Sequence, residues 1–138
     1  MKLNFTSLEK AIAQLEKSLR FSKSKLAEDP EVFIEFRKAS IQSFEFTYEL
    51  AIKMLKRQLE QNASSSEEID RLSFKDLIRT AAEKGLIDEP TKWFEYREMR
   101  NLTSHSYDEE RAEDVYKRLY NFLNSTKFLL ECLTKRNM

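Results

Sequence analysis

The chain holds a single histidine, His105, at the end of a short polar run. The run reads Arg97-Glu98-Met99-Arg100-Asn101-Leu102-Thr103-Ser104-His105, with Ser106 and Tyr107 directly after it. An imidazole that titrates near neutrality can take the proton from a ribose 2′-hydroxyl, or give one to a leaving oxygen. A fixed guanidinium can stabilise the extra negative charge on the phosphoryl group. The chemistry open to Arg100, Asn101 and His105 is therefore RNA cleavage without a metal. On a helix, Asn101 and His105 are four apart and share a face. Arg100 and His105 are five apart, so their directions differ by about 140°. They converge only if the helix ends near His105, or if a second copy of the motif faces the first across a two-fold axis. The competing reading is a helix-end histidine among surface charges, with no chemistry.

Other chemistries find less support. One glycine cannot build a phosphate-cradling loop. One histidine with scattered carboxylates lacks metal-site spacing, and one cysteine rules out a cysteine-built site. Nothing resembles a nucleophile elbow. No metal and no resident cofactor is expected. Cys132 lies on an apolar stripe and reads as a small buried hydrophobe. Basic and acidic residues number 24 each, for a formal net charge of zero. That excludes a strongly basic footprint, so RNA would have to meet a local patch.

The elements that must position these residues are helices. One Gly and two Pro in 138 residues leave few turn formers, so the reading is all-α with short connections, as one domain over 1–138. A first helix starts near Thr6 or Ser7, with Ser7 a candidate N-cap, and carries Leu8, Ile12, Leu15 and Leu19 on one face. It ends before Asp29-Pro30. A second helix over about 31–61 has one apolar row through Phe33, Arg37, Ile41, Phe44 and Tyr48, and another through Ile34, Phe46, Leu50 and Met54. Two rows mean a wide buried arc, facing several neighbours or another subunit. Residues 62–66 form a polar linker. A third helix opens at Ser73, in a capping box with Asp76, and stops at Gly85. Pro90 opens a fourth, bearing Trp93, Phe94 and Tyr96, which read as core or interface rather than base-stacking platforms. After a break near 104–107, Ser106 and Glu109 suggest another capping box, and a single last helix runs on to Lys135 and Arg136. Glu45 and Glu49, four apart on the second helix, could pair with Arg100 or Arg97. No segment approaches the roughly 18 apolar residues of a membrane span, and no signal peptide is evident. A cytoplasmic protein is expected.

The stretch Arg100-Asn101-Leu102-Thr103-Ser104-His105-Ser106-Tyr107 resembles the R-N-x-x-x-H-x-Y motif of the HEPN superfamily. It is most similar to the nucleotidyltransferase substrate-binding branch, close to the HepT toxins. Ser43-Phe44-Glu45-Phe46-Thr47-Tyr48-Glu49-Leu50-Ala51 resembles that branch's second-helix signature. Ala81 to Ile87 followed by Trp93 resembles its segment leading into the motif. The resemblance implies an up-and-down bundle of four or five helices that dimerises through its motif face. It implies a separately encoded minimal nucleotidyltransferase as partner, through which a nucleotide could arrive as ligand. In toxin-type members Arg100, Asn101 and His105 match the ribonuclease positions. Tyr107 matches the tyrosine that the partner modifies with AMP.

Three functions follow as expectations. The first is a helical partner subunit of the nucleotidyltransferase, within a toxin–antitoxin-type pair. The second is a metal-independent endoribonuclease silenced at Tyr107. The third is a structural helical dimer without nucleotide chemistry.

Overall fold

The computed structural model describes residues 2–105 and 107–138. They are all-α: α1 (Thr6–Ser22), α2 (Pro30–Asn62), α3 (Ser66–Asp70), α4 (Phe74–Glu83), α5 (Pro90–Leu102), α6 (Glu109–Tyr116) and α7 (Leu119–Arg136). Short 3₁₀ turns at Lys25–Glu28 and Thr103–His105 complete the chain.

Local chemistry accounts for most of the boundaries. Pro30 and Pro90 each occupy the first turn of a helix, where the missing N–H costs nothing. Asp29 caps α2 by accepting the Glu31 N–H at 2.9 Å. The Ser73 hydroxyl accepts the Asp76 N–H at 3.2 Å and opens α4. Gly85 ends α4 with φ +76°, a conformation that penalises a Cβ. The Leu86 N–H then reaches back to the Ala81 carbonyl at 2.9 Å, and Leu86 and Ile87 are buried beneath the turn. At the start of α1 the cap position is Phe5 rather than Ser7, and the Asn4 side-chain oxygen just before it accepts the Thr6 N–H at 2.9 Å.

Helix α2 is the spine of the bundle and touches every other helix. α1 runs antiparallel along it, with the Thr47 hydroxyl donating to the Ala11 carbonyl and Phe21 stacked on Phe36. On the other side an aromatic cluster joins three helices. Phe122 of α7 meets Phe44 of α2 edge-on at 4.7 Å between centroids, and Tyr96 of α5 at 5.1 Å. Trp93 packs against Tyr96 at 5.3 Å. All four rings are essentially buried. The tyrosine hydroxyl is not stranded there, since it donates to the Asn121 carbonyl and shares a 2.6 Å bond with Ser125.

Three sequence expectations need correction. The last helix is two, α6 and α7, parted at Lys117 and Arg118. The apolar spacing reads straight through that point. The break is tertiary: α6 packs on α2, where Tyr116 meets Phe33 edge-on, while α7 runs along α1. Arg118 holds the corner, with two 2.8 Å bonds to Asp114 and one of 3.1 Å to Glu95. Phe46, placed in the second apolar row, is 61% exposed. Asp108 caps α6 by accepting the Glu110 N–H, and the suggested cap at Ser106 lies outside the described residues. Among the described residues no helix is long and apolar enough to cross a membrane.

Phe122→Ala should destabilise the fold by about 3–5 kcal/mol, the usual cost of emptying a packed aromatic site. Urea denaturation would measure it. A loss below about 1 kcal/mol would mean that the cluster does not hold α5 to α7.

Candidate functional site

α5 delivers the polar run to the surface. Its α-helical geometry stops at Leu102, and the 3₁₀ turn Thr103–His105 carries the chain away from the helix axis. Thr103 makes this turn. Its buried hydroxyl donates to the Arg100 carbonyl at 2.6 Å and accepts from Arg100 Nη1 at 3.0 Å. One side chain thus fixes both the turn and the guanidinium. Thr103 lay inside the quoted run but drew no role. Threonine's tendency to bond a carbonyl one turn back was the available signal.

Arg100 is half-exposed, and α2 supplies its counter-charges. Nη2 donates to Glu49 at 2.8 Å, and Nη1 lies 3.7 Å from Glu45. Its Nε is buried without a hydrogen-bond partner. The structure brings Glu45 and Glu49 to Arg100, but not to Arg97. Arg97 instead lies over the ring of Phe74, 4.4 Å from its centroid, and joins α5 to α4. Tyr48, expected only as core, is buried beside this group. Burial pushes its phenol up to about 12, against the opposing charges of Arg97 and Arg100, so it stays neutral.

Asn101 and His105 are exposed, and Tyr107 is 86% exposed. The His105 and Tyr107 rings lie 6.1 Å apart between centroids. The His105 carbonyl accepts the Asp108 N–H at 2.9 Å, which ties the loop to the start of α6.

That start is held from below by Arg37. The sequence pattern placed Arg37 among apolar residues of α2, and it is 5% exposed. Its guanidinium reaches Glu109 at 2.9 Å and Glu113 at 3.3 Å, both on α6. A buried arginine on an apolar face needs partners of this kind, which was the signal for its role. Arg37 thus anchors the helix that follows the His105–Tyr107 loop.

The comparisons with known proteins agree with this picture. The family model described as nucleotidyltransferase substrate binding protein like matches residues 3–135. The chain belongs to that family. A relative from Haemophilus influenzae named probable ribonuclease HepT is 51% identical over 98 residues, which is 71% of this chain and 67% of that protein. A solved structure from the same organism is described as the fold of a substrate binding domain of a nucleotidyltransferase. It superposes with a TM-score of 0.89 at 42% identity, covering 95% of this chain and 99% of that one. The nucleotidyltransferase substrate-binding bundle is therefore the fold that carries Arg100, Asn101, His105 and Tyr107 at and just beyond the end of α5.

The Arg37 anchor makes stability depend on pH. The hydrogen bond and charge of Arg37 hold the Glu109 carboxyl below its ordinary value of 4.5. A depressed carboxylate contributes stability that is present above that value and lost as pH falls through the lowered one. Glu109→Gln should therefore melt below the parent at pH 7, and the two melting temperatures should converge as pH falls below 4.5. A gap that stays constant from pH 7 to pH 3.5 would show that the pair does not anchor α6.

Proposed function

We propose that this chain is the helical partner subunit of a separately encoded minimal nucleotidyltransferase, in a cytoplasmic pair of toxin–antitoxin type. Its Arg100–Tyr107 face binds the nucleotide-linked substrate. The family match and the likeness to a substrate binding domain support this reading. The observation that carries it is the state of Arg100: half-exposed, in the same stretch as exposed His105 and Tyr107, and held by carboxylates that can be exchanged. Glu49 is 63% exposed, and an ion pair with such a partner contributes little net stability. A phosphate, which can engage a guanidinium in bidentate fashion and carries more charge, displaces it at small cost.

A second reading is compatible with the first. The free chain acts as a metal-independent endoribonuclease, which AMP modification of Tyr107 silences. The exposed His105 and the relative named probable ribonuclease favour it. His105 takes the proton from the ribose 2′-hydroxyl. The 2′-oxygen attacks phosphorus as the bond to the 5′-oxygen breaks and that leaving oxygen takes up a proton from solvent, while Arg100 stabilises the extra charge and Asn101 orients the phosphate. Tyr107, two residues beyond His105, is open to a modifying enzyme. The active unit is a homodimer, in which a second copy brings its own motif to the same cleft. Exposed Phe46, next to Glu45 on α2, belongs to the surface between the copies.

Two experiments test these readings. The chain should co-elute with the minimal nucleotidyltransferase encoded beside it, and Tyr107→Phe should abolish any AMP mass adduct while leaving the complex intact. Failure to co-elute would overturn the partner reading. The purified dimer should cleave a mixed RNA pool in EDTA, with a loss on the order of 100-fold or more for His105→Ala and for Arg100→Ala. Absence of cleavage by the folded, dimeric parent would leave the motif as a binding site only.

A further inference from the structure

We infer that the cavity between α2 and α6 is a nucleobase subsite, holding the base of a nucleotide whose phosphate lies at Arg100. This rests on the nucleotide-handling reading for what reaches the site, but the cavity has its own evidence. It encloses about 530 Å³, within the usual range for small-molecule sites. Two of its lining residues adjoin the motif. Glu45 is part of its wall and lies 3.7 Å from Arg100. Tyr107 stands at its rim, with its ring 6.1 Å from that of His105.

The lining suits a flat, neutral, hydrogen-bonding ring. Ile34, Ile41 and Ala112 supply an aliphatic surface. Ile34, Lys38, Ile41, Gln42 and Glu45 follow one another at helical spacing, so a single face of α2 forms the wall. This explains why Ile34 presents apolar surface away from the main core. The amide of Gln42 is exposed on that wall and can donate and accept at once, as the edge of a base requires. Tyr107 offers a ring to cover the base.

The charge balance argues for the base rather than for a multiply charged anion. Arg37 lines the cavity, but its guanidinium already faces Glu109 and Glu113. Glu45 adds a further negative group. Lys38 pairs with exposed Glu35 at 3.5 Å, a partner it can exchange for the sugar-phosphate side.

The test is a ¹H–¹⁵N NMR titration of the full chain with 5′-AMP, 5′-UMP and, separately, inorganic phosphate. The mononucleotides should shift the Gln42 side-chain amide and the backbone amide of Ala112, and phosphate should leave both unmoved. Ile34→Trp, which fills the cavity, should weaken mononucleotide binding at least tenfold. Gln42→Leu, at an exposed position that the fold does not need, should weaken it about fivefold, the worth of one hydrogen bond. The subsite is overturned if neither nucleotide shifts these groups at millimolar concentration. It is equally overturned if phosphate alone shifts them, or if Gln42→Leu and a folded Ile34→Trp both bind like the parent. Binding here without RNA cleavage or a nucleotidyltransferase complex would count against the functional reading and leave the subsite standing. Cleavage or complex formation without binding here would remove the subsite alone.

Discussion

The edge-on contact of Phe122 with Phe44 and Tyr96 is the point from which the rest of the bundle is positioned. Each ring comes from a different helix, so one side chain fixes the mutual placement of α2, α5 and α7. Edge-to-face rings have a preferred geometry, unlike a contact between aliphatic groups, and so specify an angle as well as a distance. Tyr96 adds a directional constraint through its bonds to the Asn121 carbonyl and Ser125. With α5 set in rotation and depth by Trp93 and Tyr96, the residue one turn beyond Tyr96 has a fixed place. That residue is Arg100, and its place faces Glu45 and Glu49, one and five residues along α2 from Phe44.

The same spine supplies the second support of the site. Arg37, two turns before Phe44 on α2, holds α6 through Glu109 and Glu113, while Glu45 and Glu49 hold the end of α5 through Arg100. The loop from Thr103 to Asp108 is thus suspended between two points on one helix. Its ends carry ion pairs in addition to the apolar packing of α5 and α6. Apolar packing gives a position that no solute can compete for, whereas an ion pair with an exposed carboxylate yields to another anion. The division of labour follows: the core fixes where the motif stands, and exchangeable charge fixes what occupies it.

How much of this was legible in the sequence depends on how local each cause is. The starts at Pro30 and Pro90, the cap at Ser73 and the stop at Gly85 rest on the chemistry of one or two residues, and the helices begin and end there. The all-α class followed from the scarcity of turn formers. The match of the motif stretch came from resemblance, since an arginine and a histidine five apart carry little information by themselves. What stayed hidden was tertiary. The break at Lys117–Arg118 interrupts an apolar spacing that continues across it, and only competing partners for α6 and α7 require it. Arg97 and Arg100 are equally basic and three apart. Helix rotation alone sends one onto Phe74 and the other to Glu49. Arg37 looked like an intruder in an apolar row until its two glutamates, more than 70 residues away, came into contact with it.

Phe46 is a departure of another kind, because its exposure does not follow from packing within the chain. The row that holds it runs through Leu50 and Met54, which do turn inward to increasing degree. A large ring left mostly in water one residue from Glu45 sits beside the charges that engage Arg100. Apolar surface of that size gains roughly 25 cal/mol per Å² on being covered, and ion pairs at its edge strengthen as water leaves. Covering this patch would therefore raise the cost of exchanging Glu45 and Glu49 while shielding the ring. The occupancy of Arg100 and the burial of Phe46 are in this way coupled. Whatever settles on this face of α2 also governs how tightly Glu45 and Glu49 hold the arginine.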